Sequence, residues 1–349
     1  MVHADISTVG VIINPHAGKD IRRLVSAAGQ TSDAVKIGIV RRSVVGALEQ
    51  GAQRVLLSSD THQLAERAVE GLDGPIEFVE SPLTGSHLDS VAAARSMWKD
   101  DAGAVVVLGG DGTCRDVSIG WPDAPLIPIS TGTNNVFPGT LDGTTAGVAA
   151  ALVATGAVDI ADVGHVAKRV ALRIDDPSRD TAHHDTALVE AALIDTTFVG
   201  ARAVNDPSTI RWVVAAIAEP ASTGVASIAG RVHPVGRCER GGVLLRLGKD
   251  EAASSGGRRV RVPLAPGSFA TVDVQSVEPL APGETVAVPG GGVLAYDGER
   301  TTPVSEHATI TVSIEASGPR IIDVEAALVA AARSQLFDVS PRRKDAHGD

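Results

Sequence analysis

The stretch Ala104-Val105-Val106-Val107-Leu108-Gly109-Gly110-Asp111-Gly112-Thr113 decides the fold of this chain. Its opening apolar run reads as a strand buried on both faces, because a half-buried strand would alternate with polar residues. The run stops at paired glycines and passes through Asp111 into what reads as a helix start. Strand, glycine turn and helix in that order form half of a βα unit, so a mostly parallel sheet with helices on its faces is expected.

Outward from that stretch the first 140 residues repeat the pattern. Short β-branched runs at 9–13, 54–58, 76–80, 104–108 and 126–129 alternate with helical stretches at 21–28, 62–71 and 88–99, where Leu88, Val91, Ala92 and Arg95 follow 3-4 spacing. After about residue 158 the texture changes to short alternating runs broken by Gly and Pro, at 243–247, 258–262, 271–274, 285–288 and 309–314. That is the pattern of an antiparallel β domain. The stretch 321–337 returns to a helical period with Val324, Leu328, Ala331 and Leu336 on one face. A lone helix after a β domain needs a surface to cover, so it is expected to pack back on the first domain. The expected organisation is an α/β nucleotide-binding domain over 1–145, rejoined by 320–338, a mainly antiparallel β-sandwich domain for substrate binding or oligomerisation over 146–319, and a frayed tail at 339–349.

Composition agrees with two folded domains. The 349 residues exceed one ordinary domain, and 44% hydrophobic with 21% charged residues is average globular usage. Aromatic residues are only 3%, which leaves too few for a base-stacking platform, and the net charge of −11 opposes nucleic-acid and membrane-surface binding. Cys114 and Cys238 are far apart and belong to no Cys-x-x-Cys pair, so reduced thiols are expected. The start, Met1 to Asp5, lacks a basic and apolar leader, so a cytoplasmic location is expected.

In an open α/β sheet, ligands bind outside the carboxyl ends of the strands. Glycines there let backbone amides approach a phosphate, and the next helix offers free N–H groups and a positive dipole end. Asp111 is the unusual member, since a polyphosphate repels a bare carboxylate. It can hold Mg2+, directly or through water, or accept a proton from an attacking hydroxyl; the plainer alternative is a turn aspartate capping the helix. Two further strand ends carry similar chemistry. One is Ser130-Thr131-Gly132-Thr133-Asn134-Asn135 and the other is Asn14-Pro15-His16-Ala17-Gly18-Lys19. All three turns fall on one edge if the sheet is parallel. The Lys19 segment is not a Walker A loop, because Ile13 stands five positions before Gly18 and Asp20 replaces Ser or Thr.

The set Asn14-Pro15, Gly109-Gly110-Asp111-Gly112-Thr113, Gly132-Thr133-Asn134-Asn135 and Tyr296-Asp297-Gly298-Glu299 resembles the superfamily of NAD kinases and diacylglycerol/sphingosine-type lipid kinases. Within it, the chain is most similar to the ATP-NAD kinase-like, acetoin catabolism protein X-like group, over residues 8–335. The resemblance implies an α/β domain followed by a β-sandwich, with the C-terminus returning to the first. It implies ATP- and Mg2+-dependent phosphoryl transfer to a hydroxyl, the adenosine ribose 2′-OH of NAD being the leading acceptor and NADP the product. Asp111 would be the catalytic base and help organise Mg2+. Gly109, Gly110, Gly112 and Thr113 would line the nucleotide phosphates, and Asn14, Pro15, Thr131, Gly132, Thr133 and Asn134 would contact ATP. Asp297 would lie near the cleft, and a homodimer or homotetramer is implied. Two features depart from NAD kinases. Their Asn-Glu or Asn-Asp pair has as its nearest counterpart Asn205-Asp206, followed here by Pro207, and the Gly-Thr-Asn-Asn turn is closer to the lipid-kinase branch. A lipid or small polyol acceptor, or a nucleotide-binding regulator without transfer, are the alternatives.

Lys19, Arg115 and Arg22 or Arg23 sit near the expected crevice and could neutralise transferred charge, surface placement being the alternative. His183-His184-Asp185 reads as a polar loop, Gly290-Gly291-Gly292 as a β-domain turn, and Arg258, Arg259 and Arg261 as a solvated hairpin face.

Overall fold

The computed structural model describes residues 6–18, 31–132, 135–178, 182–196, 206–248, 257–298 and 300–338. The helix expected at 21–28 and the tail expected at 339–349 lie outside them. The first part of the chain forms β1 (Thr8–Ile13), α1 (Asp33–Glu49), β2 (Arg54–Leu57), α2 (Leu64–Val69), β3 (Ile76–Phe78), α3 (His87–Lys99), β4 (Ala104–Gly109), α4 (Asp111–Gly120), β5 (Pro125–Ser130), α5 (Gly143–Ala154), α6 (Ile160–Val163) and β6 (Gly164–Val166). Helices begin where a side chain can accept an orphan amide: Ser32, Ser86 and Asp142 cap α1, α3 and α5.

Strands β1 and β4 need apolar residues throughout because both their faces are covered. Val9, Val11, Val106 and Leu108 pack with residues of α1, α2 and α5, whereas Ile12, Val105 and Val107 pack with residues of α3 and α4. Helices α1 and α5 do not stand out in the sequence, since their β-branched residues and glycines are as common in strands and turns. The glycines let the two helices touch: a Cβ on Gly147 would overlap the Ser43 carbonyl oxygen.

The second part forms β7 (Arg169–Asp175), β8 (His183–Ala187), β9 (Glu190–Ile194), β10 (Ile210–Ala215), α7 (Ala226–Val232), β11 (Gly242–Leu247), β12 (Arg258–Ala265), β13 (Ser268–Leu280), β14 (Thr285–Pro289), β15 (Gly292–Tyr296), β16 (Arg300–Val304) and β17 (Thr309–Glu315). Two antiparallel sheets result, a seven-stranded one in the order β12-β13-β11-β10-β9-β15-β16 and a four-stranded one in the order β14-β17-β7-β8. Their facing sides bury Leu172, Leu193, Trp212, Leu244, Ile310 and Val312 in one core. The indole of Trp212 donates to the Pro289 carbonyl at 3.1 Å, so its polar atom is satisfied inside that core. The histidine pair expected in a polar loop lies instead on β8, an edge strand.

The chain then returns to the first layer through β18 (Arg320–Ile322) and α8 (Val324–Arg333). Strand β18 pairs parallel with β5 and antiparallel with β6, which gives the first sheet the order β3-β2-β1-β4-β5-β18-β6. Val324, Ala327 and Ala331 of α8 enter the first-domain core. The helix is shorter than the expected 321–337. Ile321 and Ile322 belong to the strand or its end, and Leu336 lies past the helix, 40% exposed. By packing, α5 and β6 belong to the first layer, which therefore reaches Val166 and not the expected 145. Among the described residues no helix is long and apolar enough to cross a membrane.

Candidate functional site at the strand ends

In the first sheet β1 lies beside β4, and from that junction the chain winds outward both ways, to β2 and β3 on one side and to β5 on the other. Such a switch point opens a crevice beyond the carboxyl ends of the two strands. Asn14 follows β1 and Gly110 follows β4, so two of the expected turns meet there. The Asn14 side-chain amide donates to Thr113 Oγ1 at 2.8 Å, and its Oδ1 accepts from the amides of His16 and Ala17 at 2.9 and 3.3 Å. One side chain thus shapes its own turn and bridges the crevice floor. The third turn joins through the Thr131 N–H, which donates to the Gly109 carbonyl at 3.1 Å. Gly132 follows; Thr133, Asn134 and Lys19 lie outside the described residues.

Gly109 has a packing role of its own. A Cβ there would overlap the Thr113 side chain, so the glycine allows the first turn of α4 to fold back on the strand. Gly110 caps that helix, and its N–H reaches Thr113 Oγ1 at 3.4 Å. Thr131 is 1% exposed, yet its Oγ1 has no hydrogen-bond partner among the described residues. Leaving a hydroxyl buried and unsatisfied costs about 1–3 kcal/mol. Sequence reading missed Lys36 of α1, which is fully buried and whose ammonium donates to the carbonyls of Asn14 and Pro15 at 3.3 and 2.7 Å. A lone lysine inside the apolar run Val35-Lys36-Ile37 was the available signal.

Asp111 opens α4 and is 7% exposed, so its carboxylate does not point into solvent. The Val136 N–H donates to both its oxygens at 3.0 and 3.1 Å, and the Phe137 N–H donates to Oδ1 at 2.7 Å. The carbonyl of Phe137 accepts from Arg237 at 2.7 Å, and the same guanidinium donates to the carbonyl of Val136. Both oxygens of Asp111 are engaged by amides, and among the described residues no three His, Cys, Asp or Glu side chains come together to hold an ion. A Mg2+ held through water or the ATP phosphates, as expected, needs no such cluster of protein ligands.

Arg115, expected near phosphate, is 4% exposed and faces the second domain instead. It pairs with Asp185 of β8, donates to the Thr186 carbonyl and stacks 5.3 Å from the Tyr296 ring centroid. Its Nε and Nη2 are directed across the domain boundary, and its Nη1 lies 3.5 Å from Asp116 of its own helix. Beside it, buried Asp116 accepts from Arg300 of β16. Asp297 takes the amides of Leu188, Val189 and Glu190 at 2.9, 2.8 and 3.3 Å. Burial pushes the Asp297 carboxyl upward, against the opposing effect of those amides and of Arg115. Its task is to hold the turn between β8 and β9, whose Leu188 and Val189 pack with Val136 and Phe137. Asp206 caps the short turn Pro207–Thr209, and hydrogen bonds from the Ser208 hydroxyl and amide hold its carboxyl below the ordinary range. Asn205 lies outside the described residues.

A doubly wound α/β domain with three phosphate-suited turns at one edge, followed by a β-sandwich and a returning C-terminal helix, defines the NAD kinase-like class. The ATP-NAD kinase N-terminal domain profile matches residues 9–157, and the acetoin catabolism protein X C-terminal domain profile matches residues 168–317. Acetoin catabolism protein X of Cupriavidus necator is 34% identical over 344 residues, which is 96% of this chain and 95% of that one, and the chain belongs to this family. An uncharacterized protein of Archaeoglobus fulgidus is 32% identical over 131 residues, 37% of this chain and 36% of its own. Yeast NADH kinase, solved in complex with NADH, has the same fold, with a TM-score of 0.54 at 13% identity over 98% of this chain and 91% of that one.

Proposed function

We propose that the protein is an ATP-dependent kinase that transfers the γ-phosphoryl group to a hydroxyl, the adenosine ribose 2′-OH of NAD. The observation that carries this reading is the Asn14–Thr113 hydrogen bond across the β1–β4 switch point, next to the amide-bearing start of α4 and the Thr131 hydroxyl, which has no hydrogen-bond partner among the described residues. The family supports nucleotide chemistry, and the yeast relative, a kinase bound to NADH, supports a dinucleotide acceptor. In the proposed reaction the acceptor oxygen bonds to the γ-phosphorus as the bond to the β-phosphate oxygen breaks. ADP leaves, and the hydroxyl proton passes to the Asp111 carboxylate, which its amide partners hold in a fixed orientation. Amides at the start of α4 and the Thr131 hydroxyl hold the donor phosphates. Mg2+ enters as part of the ATP substrate.

The test is ADP release from Mg-ATP over NAD, NADH, small alcohols and a lipid hydroxyl, with Asp111→Ala as the blank. Release that needs NAD or NADH supports the proposal. Release with another hydroxyl alone replaces the acceptor. ATP binding without release on any acceptor favours the regulatory reading, for which the full engagement of Asp111 by amides is the structural argument.

A further inference from the structure

We infer that Arg237 is a positioning residue through which the second domain sets the loop behind the nucleotide turn; the inference rests on the nucleotide reading of residues 131–134. The dipeptide Val136-Phe137 follows that turn directly. Its two N–H groups go to Asp111 of the first domain, and its two carbonyls go to Arg237 of the second. All four polar groups of the dipeptide are therefore held by charged side chains from different domains. The guanidinium is oriented in turn by Glu219, with Nε to Oε1 at 2.8 Å and Nη2 to Oε2 at 3.4 Å.

The segment that presents Arg237 is itself fixed. Buried Lys168, at the entry to the second domain, donates to the carbonyls of Gly236 and Gly241 at 2.9 and 3.1 Å, which closes the intervening loop at its root. The Gly236 N–H donates to Glu239 Oε2 at 3.1 Å, and Val235 exchanges main-chain hydrogen bonds of 3.0 and 2.9 Å with Ala218. A continuous chain of contacts thus runs from the second domain through Arg237 and the dipeptide to the Asp111 carboxylate. Moving the second domain moves the amides that aim that carboxylate. A planar five-donor fork is required, because lysine offers a point charge and cannot span both carbonyls and Glu219 in one plane.

The test compares wild type with Arg237→Ala and Arg237→Lys by amide hydrogen exchange over residues 131–140, thermal melting and the ADP assay. Both variants are expected to speed exchange at Val136 and Phe137 about tenfold, the effect of losing a hydrogen bond to a charged group. Exchange in α8 should stay as in wild type. Turnover should fall about 10- to 100-fold while KM for ATP changes less than about threefold, the pattern of lost positioning. Exchange at 136–137 that stays at the wild-type rate in the folded Arg237→Lys protein overturns the inference, as does a lysine variant with full turnover. If wild type itself releases no ADP on any acceptor, the kinase reading fails while the exchange result still decides the role of Arg237.

Discussion

Asp111 and Arg237 hold the same two residues from opposite sides, the carboxylate on the N–H groups of Val136 and Phe137 and the guanidinium on their carbonyls. The peptide unit that joins Val136 to Phe137 lies between a negative and a positive charge, its N–H on the carboxylate and its carbonyl on the guanidinium, an arrangement in which each bond polarises the next. Asp111 is thus also part of the joint between domains.

Asp111→Asn keeps the shape of this side chain and removes its charge. The asparagine has one acceptor oxygen, and its NH2 group must lie against an amide donor of Val136 or Phe137. Activity is expected to fall by about 10² to 10⁴ from loss of the proton acceptor. Stability should fall too, by about 1–3 kcal/mol from the spoiled hydrogen bonds. Melting curves recorded alongside the ADP assay check both; unchanged turnover removes Asp111 from the mechanism.

Buried Arg115 pairs with partly buried Asp185 between α4 and β8. Removing one member of a fully buried pair typically costs about 3–5 kcal/mol; with Asp185 partly exposed and Asp116 still 3.5 Å from Arg115, about 1–3 kcal/mol is expected here. Arg115→Met and Asp185→Asn are each expected to lower stability to that extent, and the double variant by less than the sum of the two, as coupled neighbours do. Urea unfolding of the four proteins measures this. Simple additivity would mean that the pair contributes no coupling across the boundary.

The glycine turn after β4 was legible because an uninterrupted valine run is compatible only with burial on both faces, and because the turn sits at the only crevice such a sheet provides. The two turns that join it were legible as types of chemistry, but not the Asn14–Thr113 bond, which spans 99 positions. Arg115 and Asp297 carried suggestive neighbours in sequence, but Arg115 is spent on the domain joint and Asp297 on the turn between β8 and β9. Charge alone does not reveal direction, and a helix turn or a strand end presents a side chain to one domain or the other according to packing. Arg237 gave no signal, since its partners Val136 and Phe137 are apolar residues contributing only backbone, 101 and 100 positions away. Helix α1 was hidden by Val, Ile and Gly positions whose reason appears only in the close contact with α5.

Lys168 provides a pH test of the loop that carries Arg237. Burial pulls its ammonium down to about 8 from 10.5, against the opposing effect of Glu239 and Cys238. Below pH 8 the lysine is charged in both folded and unfolded chains, and the folded chain carries the cost of burying that charge. Between about 8 and 10.5 the folded chain releases the proton first, so the unfolded chain binds more protons and stability rises with pH. The melting temperature of wild type should therefore gain on that of Lys168→Met across this window. A constant difference between the two proteins would mean that the buried ammonium is not under strain.

Thr131→Val separates a ligand site from a merely structural turn. The substitution preserves shape and removes a hydroxyl that is buried and makes no hydrogen bond among the described residues. If that hydroxyl awaits a ligand, the free protein should lose nothing and gain up to about 1 kcal/mol, since a desolvated polar group disappears. Nucleotide affinity should move the other way, weakening by about tenfold, the equivalent of one hydrogen bond to a charged phosphate oxygen. Melting of the ligand-free protein and titration with ATP read the two effects in one sample. A less stable variant with unaltered ATP affinity would assign the hydroxyl to the fold and take Thr131 out of the nucleotide site, whereas opposite signs are what a preformed phosphate contact requires.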